Sequence, residues 1–298
     1  MKSSSLIYLL LCLCFGLNCC QQADPKETLN NAIKSEFASQ TGTFAMAFHD
    51  LTTDETILLN AEEQFHAAST MKTPVMIEVY KKAAAGAFQL TDSILVKNEF
   101  YSIVDSSPYQ LNPDDDSEKL LYEMTGEKRA IADLVYDMII VSSNLATNIV
   151  IEFADAEATT QTMRDLGAKD IEVLRGVEDI KAFRRGLSNS TTALDLMTIY
   201  GKLAKGEVVN PKASEAMIAI LKDQKFNEII PALLPEDVEV AHKTGVITGL
   251  HHDSGIVFLP DGRAYVLVLL SKEMDDFGAG TQMMARVSKL VYDYVTAD

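Results

Sequence analysis

Ala67-Ala68-Ser69-Thr70-Met71-Lys72-Thr73-Pro74-Val75-Met76-Ile77 is the stretch that decides how this chain folds. A hydroxyl stands three residues before an amine, where small residues give way to an apolar run that suits the start of a helix. Residues three apart on a helix share a face, so the Lys72 amine can reach the Ser69 hydroxyl. A serine hydroxyl is a weak nucleophile and needs a base, and a lysine of lowered pKa can serve. The partial positive charge at a helix start favours negative charge developing on the oxygen. Alone, Ser-x-x-Lys is a weak signal, because an N-cap serine followed by a surface lysine has the same spacing.

Two later stretches add to it. Ile131–Val141 carries apolar residues at helical spacing and runs into Ser142-Ser143-Asn144. A second hydroxyl and a carboxamide there could relay a proton and hold an amide. Val238-Glu239-Val240-Ala241-His242 reads as a strand leading into Lys243-Thr244-Gly245. A strand edge can pair with an extended amide, Lys243 can attract a carboxylate, and Gly245 has no side chain to obstruct a ligand.

Outward from these stretches the order of elements is simple. A helix is expected around Glu27–Phe37, then strands at Thr43–Phe48 and Thr56–Asn60 joined by a turn rich in Asp and Thr. From Ser69 to about Val209 the pattern is mostly helical, with polar breaks at Ser102–Asp116, Thr125–Lys128 and Gly176–Thr192. Strands return at Val238–Thr244, Ser254–Leu259 and Ala264–Leu270, and an amphipathic helix ends the chain over about Gly280–Val295. This order predicts an α/β (α+β) fold. A five-stranded antiparallel sheet is covered by the terminal helices and faces an all-α subdomain. The sheet lobe takes about residues 27–62 and 212–298 and the helical lobe about 63–211, all within one domain over 21–298. A cleft is expected where the lobes meet.

The N-terminus carries Lys2 and then a short apolar run, which suits a secretory signal over residues 1–20 better than a permanent span. All four cysteines (Cys12, Cys14, Cys19 and Cys20) lie in or at the end of that run. Leu17, three before Cys20, resembles a lipobox, so Cys20 is expected to carry a lipid. The expected location is the periplasm or outside the cell, with the membrane touched only through that anchor. The mature domain would then contain no disulfide, thiol nucleophile or thiolate metal site. A net charge of −17 argues against nucleic acid as a partner.

Ser-x-x-Lys, Ser-x-Asn and Lys-Thr-Gly in this order resemble the motif set of the class A β-lactamases and penicillin-binding proteins. The resemblance covers about residues 27–297. It implies a β-lactamase/transpeptidase-like fold and action on a β-lactam or cell-wall peptide; a monomer without cofactor or metal is expected. It makes Ser69 the acylated nucleophile, Lys72 a base or relay, and Ser142 a proton donor to the leaving nitrogen. Asn144, Lys243, Thr244 and Gly245 would bind substrate, and Tyr101 would stand at the cleft rim. The backbone N–H groups of Ser69 and Val246 would form the oxyanion hole, and Asn148 would be structural.

Several positions depart from that pattern. Ser143 stands where an aspartate is usual. Glu178, with Asp179 as its rival, is the candidate for the carboxylate that activates the deacylating water, but Ala182 replaces an asparagine expected four residues later. Ser254 falls near the position of a carboxylate-gripping arginine. His251-His252-Asp253 could suggest a metal and Asp114-Asp115-Asp116 calcium, but a hydrogen-bonded histidine and a solvated acidic loop are the readings favoured here. His49 and His66 are expected to be structural. The expected activity is β-lactam hydrolysis through an acyl-enzyme on Ser69. The alternatives are a D-Ala-D-Ala peptidase or esterase with slow deacylation, and a non-catalytic binder.

Overall fold

The computed structural model describes residues 24–297. The expected signal segment 1–20, Cys20 and the first residues of the tether lie outside them.

Helix α1 (Pro25–Ala38) starts at Asp24, whose carboxylate caps it. Strands β1 (Thr43–Asp50) and β2 (Thr56–Leu59) form the expected hairpin. Two-residue strand β3 (Phe65–His66) leads to a 3₁₀ turn at Ala68–Met71 and then to α2 (Lys72–Ala84). The middle of the chain carries β4 (Ser93–Leu95), β5 (Phe100–Tyr101), β6 (Pro108–Tyr109), α3 (Leu120–Glu123) and β7 (Lys128–Ala130). Helices α4 (Ile131–Ile140), α5 (Asn144–Ala154), α6 (Ala156–Asp165) and α7 (Ile180–Arg184) follow, then β8 (Ser190–Thr191), α8 (Ala193–Ala204) and α9 (Pro211–Lys222). The chain closes with β9 (Glu239–Ile247), β10 (Leu250–Phe258), β11 (Ala264–Lys272) and α10 (Phe277–Thr296). Among the described residues no helix is long and apolar enough to cross a membrane.

The main sheet is antiparallel, in the order β2-β1-β11-β10-β9. Side chains alternate across it. Phe44, Met46 and Phe48 on β1, with Tyr265, Leu267 and Leu269 on β11, join a core with Ile33 of α1 and Met283, Val287 and Val291 of α10. Ala45, Ala47, Val266, Val268 and Leu270 face the opposite way, into the core shared with the helical lobe. The two alanines suit the side where α8 packs on β1. Both faces are therefore buried, which explains the nearly unbroken apolar run of β11.

The sequence placed most elements and missed a few details. The helical lobe is not purely α, since β3–β8, β4–β7 and β5–β6 form two-stranded ribbons in it. The polar break at Gly176–Thr192 contains α7, started by the side chain of Asp179 accepting from the Ala182 N–H. The last three strands run longer than expected, and His251-His252-Asp253 lies inside β10 rather than before it.

Candidate active site

Ser69 sits in the 3₁₀ turn, half-buried, and α2 begins only at Lys72. The backbone before Ser69 is strained, with Ala68 at φ 45°. Ser142 (φ 56°) and Glu178 (φ 63°) share this left-handed conformation, which costs a residue with a side chain roughly 1–3 kcal/mol. Strain of this kind persists only where surrounding contacts over-determine it, and here it falls on Ser142, on Glu178 and on the residue before Ser69.

Lys72 is fully buried. Its Nζ donates to the Ser142 carbonyl (2.8 Å), Ser142 Oγ (3.2 Å) and Asn144 Oδ1 (3.0 Å). The amine forms no hydrogen bond to Ser69: its contacts go to Asn144 at the start of α5 and to Ser142 two residues before it. Among the described residues, the Ser69 hydroxyl makes no side-chain hydrogen bond. Burial drives the Lys72 pKa down to about 7, although Asp116 and Glu178 favour its charged form. A neutral amine, able to take a proton, is therefore accessible near neutral pH.

Lys243, also fully buried, donates to Ser142 Oγ (3.0 Å) and to the Thr244 carbonyl (3.0 Å). Burial, and then repulsion from Lys72, hold its pKa well below the usual lysine value, opposed by Asp253. The Ser142 hydroxyl thus lies between two amines, the geometry of a proton relay. Asn144 completes a chain, accepting from Lys72 and donating through Nδ2 to Glu178 Oε1 at 2.8 Å. Burial raises the Glu178 pKa, with Asp116 and Asp115 adding to it.

The loop carrying Glu178 is tied down on both sides. Asn148 accepts from the Val177 N–H (2.6 Å) and donates to the Val177 carbonyl (3.0 Å). Asp179, the rival carboxylate, is buried and accepts from Ala182 N, Ser102 Oγ and Ile103 N. Those three bonds outweigh its burial and hold its pKa below the ordinary value, so it serves as a cap and an anchor. Ala182, where an amide side chain was expected, is fully buried.

β9 is an edge strand, and it approaches the Ser69 turn closely at Gly245. A Cβ there would come within 3.0 Å of the Ser69 nitrogen and 3.2 Å of the Thr70 nitrogen. Two clefts meet at Ser69, both also lined by Asn144 and Val246. One, of about 620 Å³, adds Ser142, Thr244, Glu228, His251 and Phe277. The other, of about 330 Å³, adds Glu178, Ile180, Phe183 and Ile247.

Ser69, Lys72, Ser142, Asn144, Glu178, Lys243, Thr244, Gly245 and Val246 are therefore brought together, and Tyr101 is not. Its ring is exposed, its hydroxyl donates to Glu99, and it lines a separate depression with Tyr109, Asn148 and Arg175. Ser254 is buried and donates to the Lys243 carbonyl, so it does not stand in for a gripping arginine. His251 Nδ1 meets Thr281 Oγ1 (2.9 Å), its ring stacked on Phe277, while His252 Nε2 donates to the His66 carbonyl (2.9 Å). Asp253 pairs with His242 at 2.8 Å and accepts from the Ile230 N–H. Among the described residues no group of three or more His, Cys, Asp or Glu side chains is placed to hold a metal ion.

The acidic run 114–116 is solvated only at Asp114 and Asp115. Asp116 is buried, with its carboxylate on the first turn of α5. Nothing in the local sequence separates Asp116 from Asp114 and Asp115, because the N–H groups it accepts from lie 28 and 29 residues later.

Comparison with known proteins agrees with this geometry. Among solved structures, a β-lactamase from Sphaerobacter thermophilus is 25% identical, with a TM-score of 0.77 over 91% of this chain and 98% of that one. The protein PBP-A is 25% identical, with a TM-score of 0.78 over 90% and 96%; a variant of it has been solved as an acyl-enzyme with penicillin G. A class A β-lactamase from Bacteroides cellulosilyticus shares the fold at 23% identity, with a TM-score of 0.77 over 93% and 100%. No curated protein matches the sequence. The profile of the beta-lactamase enzyme family matches residues 26–295, and the chain belongs to that family.

Proposed function

We propose that the protein is a serine β-lactamase that opens the lactam ring through an ester on Ser69. The observation that carries this reading is the hydroxyl of Ser142 held between Lys72 and Lys243, with Asn144 linking Lys72 to Glu178.

In acylation, neutral Lys72 takes the proton of Ser69 as its Oγ bonds to the lactam carbonyl carbon. The backbone N–H groups of Ser69 and Val246 hold the oxyanion. As the C–N bond breaks, the proton passes from Lys72 through Ser142 to the leaving nitrogen, while Lys243 and Thr244 hold the substrate carboxylate. In deacylation, Glu178 removes a proton from water, whose oxygen attacks the ester carbonyl. The ester C–O bond then breaks and Ser69 regains its proton. A carboxylate of raised pKa is a stronger base than an ordinary one, which suits this step.

A second reading shares acylation and differs afterwards: a D-Ala-D-Ala peptidase or esterase that deacylates β-lactams slowly. The buried methyl of Ala182 favours it, since that position offers no hydrogen bond to a water near Glu178. In either case we place the protein in the periplasm or outside the cell, working as a monomer, with Cys20 as a lipid anchor.

Intact-protein mass spectrometry during reaction with benzylpenicillin distinguishes the two. Rapid return to the free mass supports the β-lactamase, and a long-lived penicilloyl adduct supports the peptidase. Absence of any adduct or turnover, with Ser69→Ala behaving like the wild type, sinks both.

A further inference from the structure

We propose that Asp116 is a positioning residue of this site, its buried carboxylate holding the first turn of α5, and with it Ser142 and Asn144, against Lys72 and Glu178. The inference deepens the reading above and rests on it for the reaction concerned.

Asp116 is 5% exposed and lies on a loop 28 residues before Asn144. Its Oδ2 accepts from the backbone N–H groups of Asn144 (2.9 Å) and Leu145 (2.8 Å) and from the Tyr122 hydroxyl (2.9 Å), with a longer contact to Ser143 Oγ (3.4 Å). Its Oδ1 accepts from the Glu118 N–H (3.1 Å). These donors are all neutral. The carboxylate satisfies two free N–H groups of α5 and complements the positive end of that helix. Ser143, the N-cap itself, accepts from the Ala146 N–H (3.2 Å) and carries no charge. The negative charge at this helix start is thus supplied from another loop.

Its consequence for the reaction is electrostatic. The charged groups that act on Lys72 are Asp116, Glu178 and the like-charged Lys243; those that act on Glu178 are Asp116, Asp115 and Lys72. Asp116 favours the charged form of Lys72 and the protonated form of Glu178. Removing its charge while keeping an acceptor oxygen lowers both pKa values, moving the working pH range of base and carboxylate together toward acid.

Asp116→Asn tests this, with Asp116→Ser/Ser143→Asp as the variant that returns a carboxylate to the same helix start. The Lys72 amine is titrated by NMR on lysine-labelled protein, a measurement that needs no turnover. Its midpoint is expected about one unit lower in Asp116→Asn and back near the wild-type value in the double variant. The pH profile of β-lactam hydrolysis should shift in the same direction. A Lys72 midpoint that is unmoved in folded Asp116→Asn overturns the proposal. Should that variant fail to fold, a double variant whose midpoint departs from wild type overturns it. A wild type without hydrolysis refutes the proposed function and leaves the titration to decide on Asp116.

Discussion

Gly176→Ala should separate the two half-reactions. A Cβ at Gly176 would stand 2.2 Å from Asn148 Oδ1 and 2.9 Å from its Cγ. Carbon and oxygen need a little over 3 Å, so the loop and α5 must part by about 1 Å. Asn148 cannot readily give way, because it is 1% exposed within α5 and holds both the N–H and the carbonyl of Val177. The loop therefore moves, and Glu178 moves with it. Loss of those hydrogen bonds would cost about 1–3 kcal/mol, and an ångström of misplacement about a hundredfold in rate. Ser69, Lys72, Ser142 and Lys243 are not on this loop, so acylation should change little. With a chromogenic cephalosporin in stopped flow, the variant should show a burst near one equivalent and then a slow steady state. Mass spectrometry should show the acyl-enzyme as the main species. Wild-type deacylation in a folded Gly176→Ala enzyme would refute the assignment of Glu178.

The remaining predictions concern Gly245, Lys72 and His252. Gly245→Ala should have the opposite signature, about a hundredfold slower labelling by a fluorescent penicillin, because the new methyl presses on the backbone of Ser69 and Thr70. Lys72 has a folded pKa of about 7, so acylation should rise with pH through that value as the amine becomes neutral. Between about pH 7 and the ordinary lysine pKa near 10.5 the unfolded chain holds a proton that the folded chain has released. Stability should therefore rise with pH across that window, and Lys72→Met should remove this contribution, as denaturant titrations at several pH values would show. His252 is fully buried and donates to the His66 carbonyl while accepting from the Ser271 N–H, so the fold holds it neutral, with its pKa lowered to about 4. Its contribution is complete above pH 6.5 and is lost as pH falls through 4. That loss amounts to about 3 kcal/mol, and His252→Gln should flatten stability between those pH values.

Much of this protein could be read from its residue order. Apolar spacing located the terminal helices and the five strands, because each buries a regular face and burial imposes the period of the element. Three short motifs named Ser69, Lys72, Ser142, Asn144 and Lys243, since side chains that carry chemistry must keep fixed spacings on the elements that hold them. What the residue order could not convey depends on distance in space. Ser69 and Lys72 suggested a bonded pair, yet the amine spends its donors on Ser142 and Asn144, which lie 70 and 72 residues away. Tyr101 had the right composition for the rim, but the β5–β6 ribbon turns it to another face. Asp116 looked like one charge in a solvated run, and only the packing of its loop against α5 buries it and fixes its partners. The lowered Lys72 pKa and the raised Glu178 pKa have the same origin. Desolvation is a property of what surrounds a group from every side, and that surrounding exists only after the sheet and the helical lobe have come together.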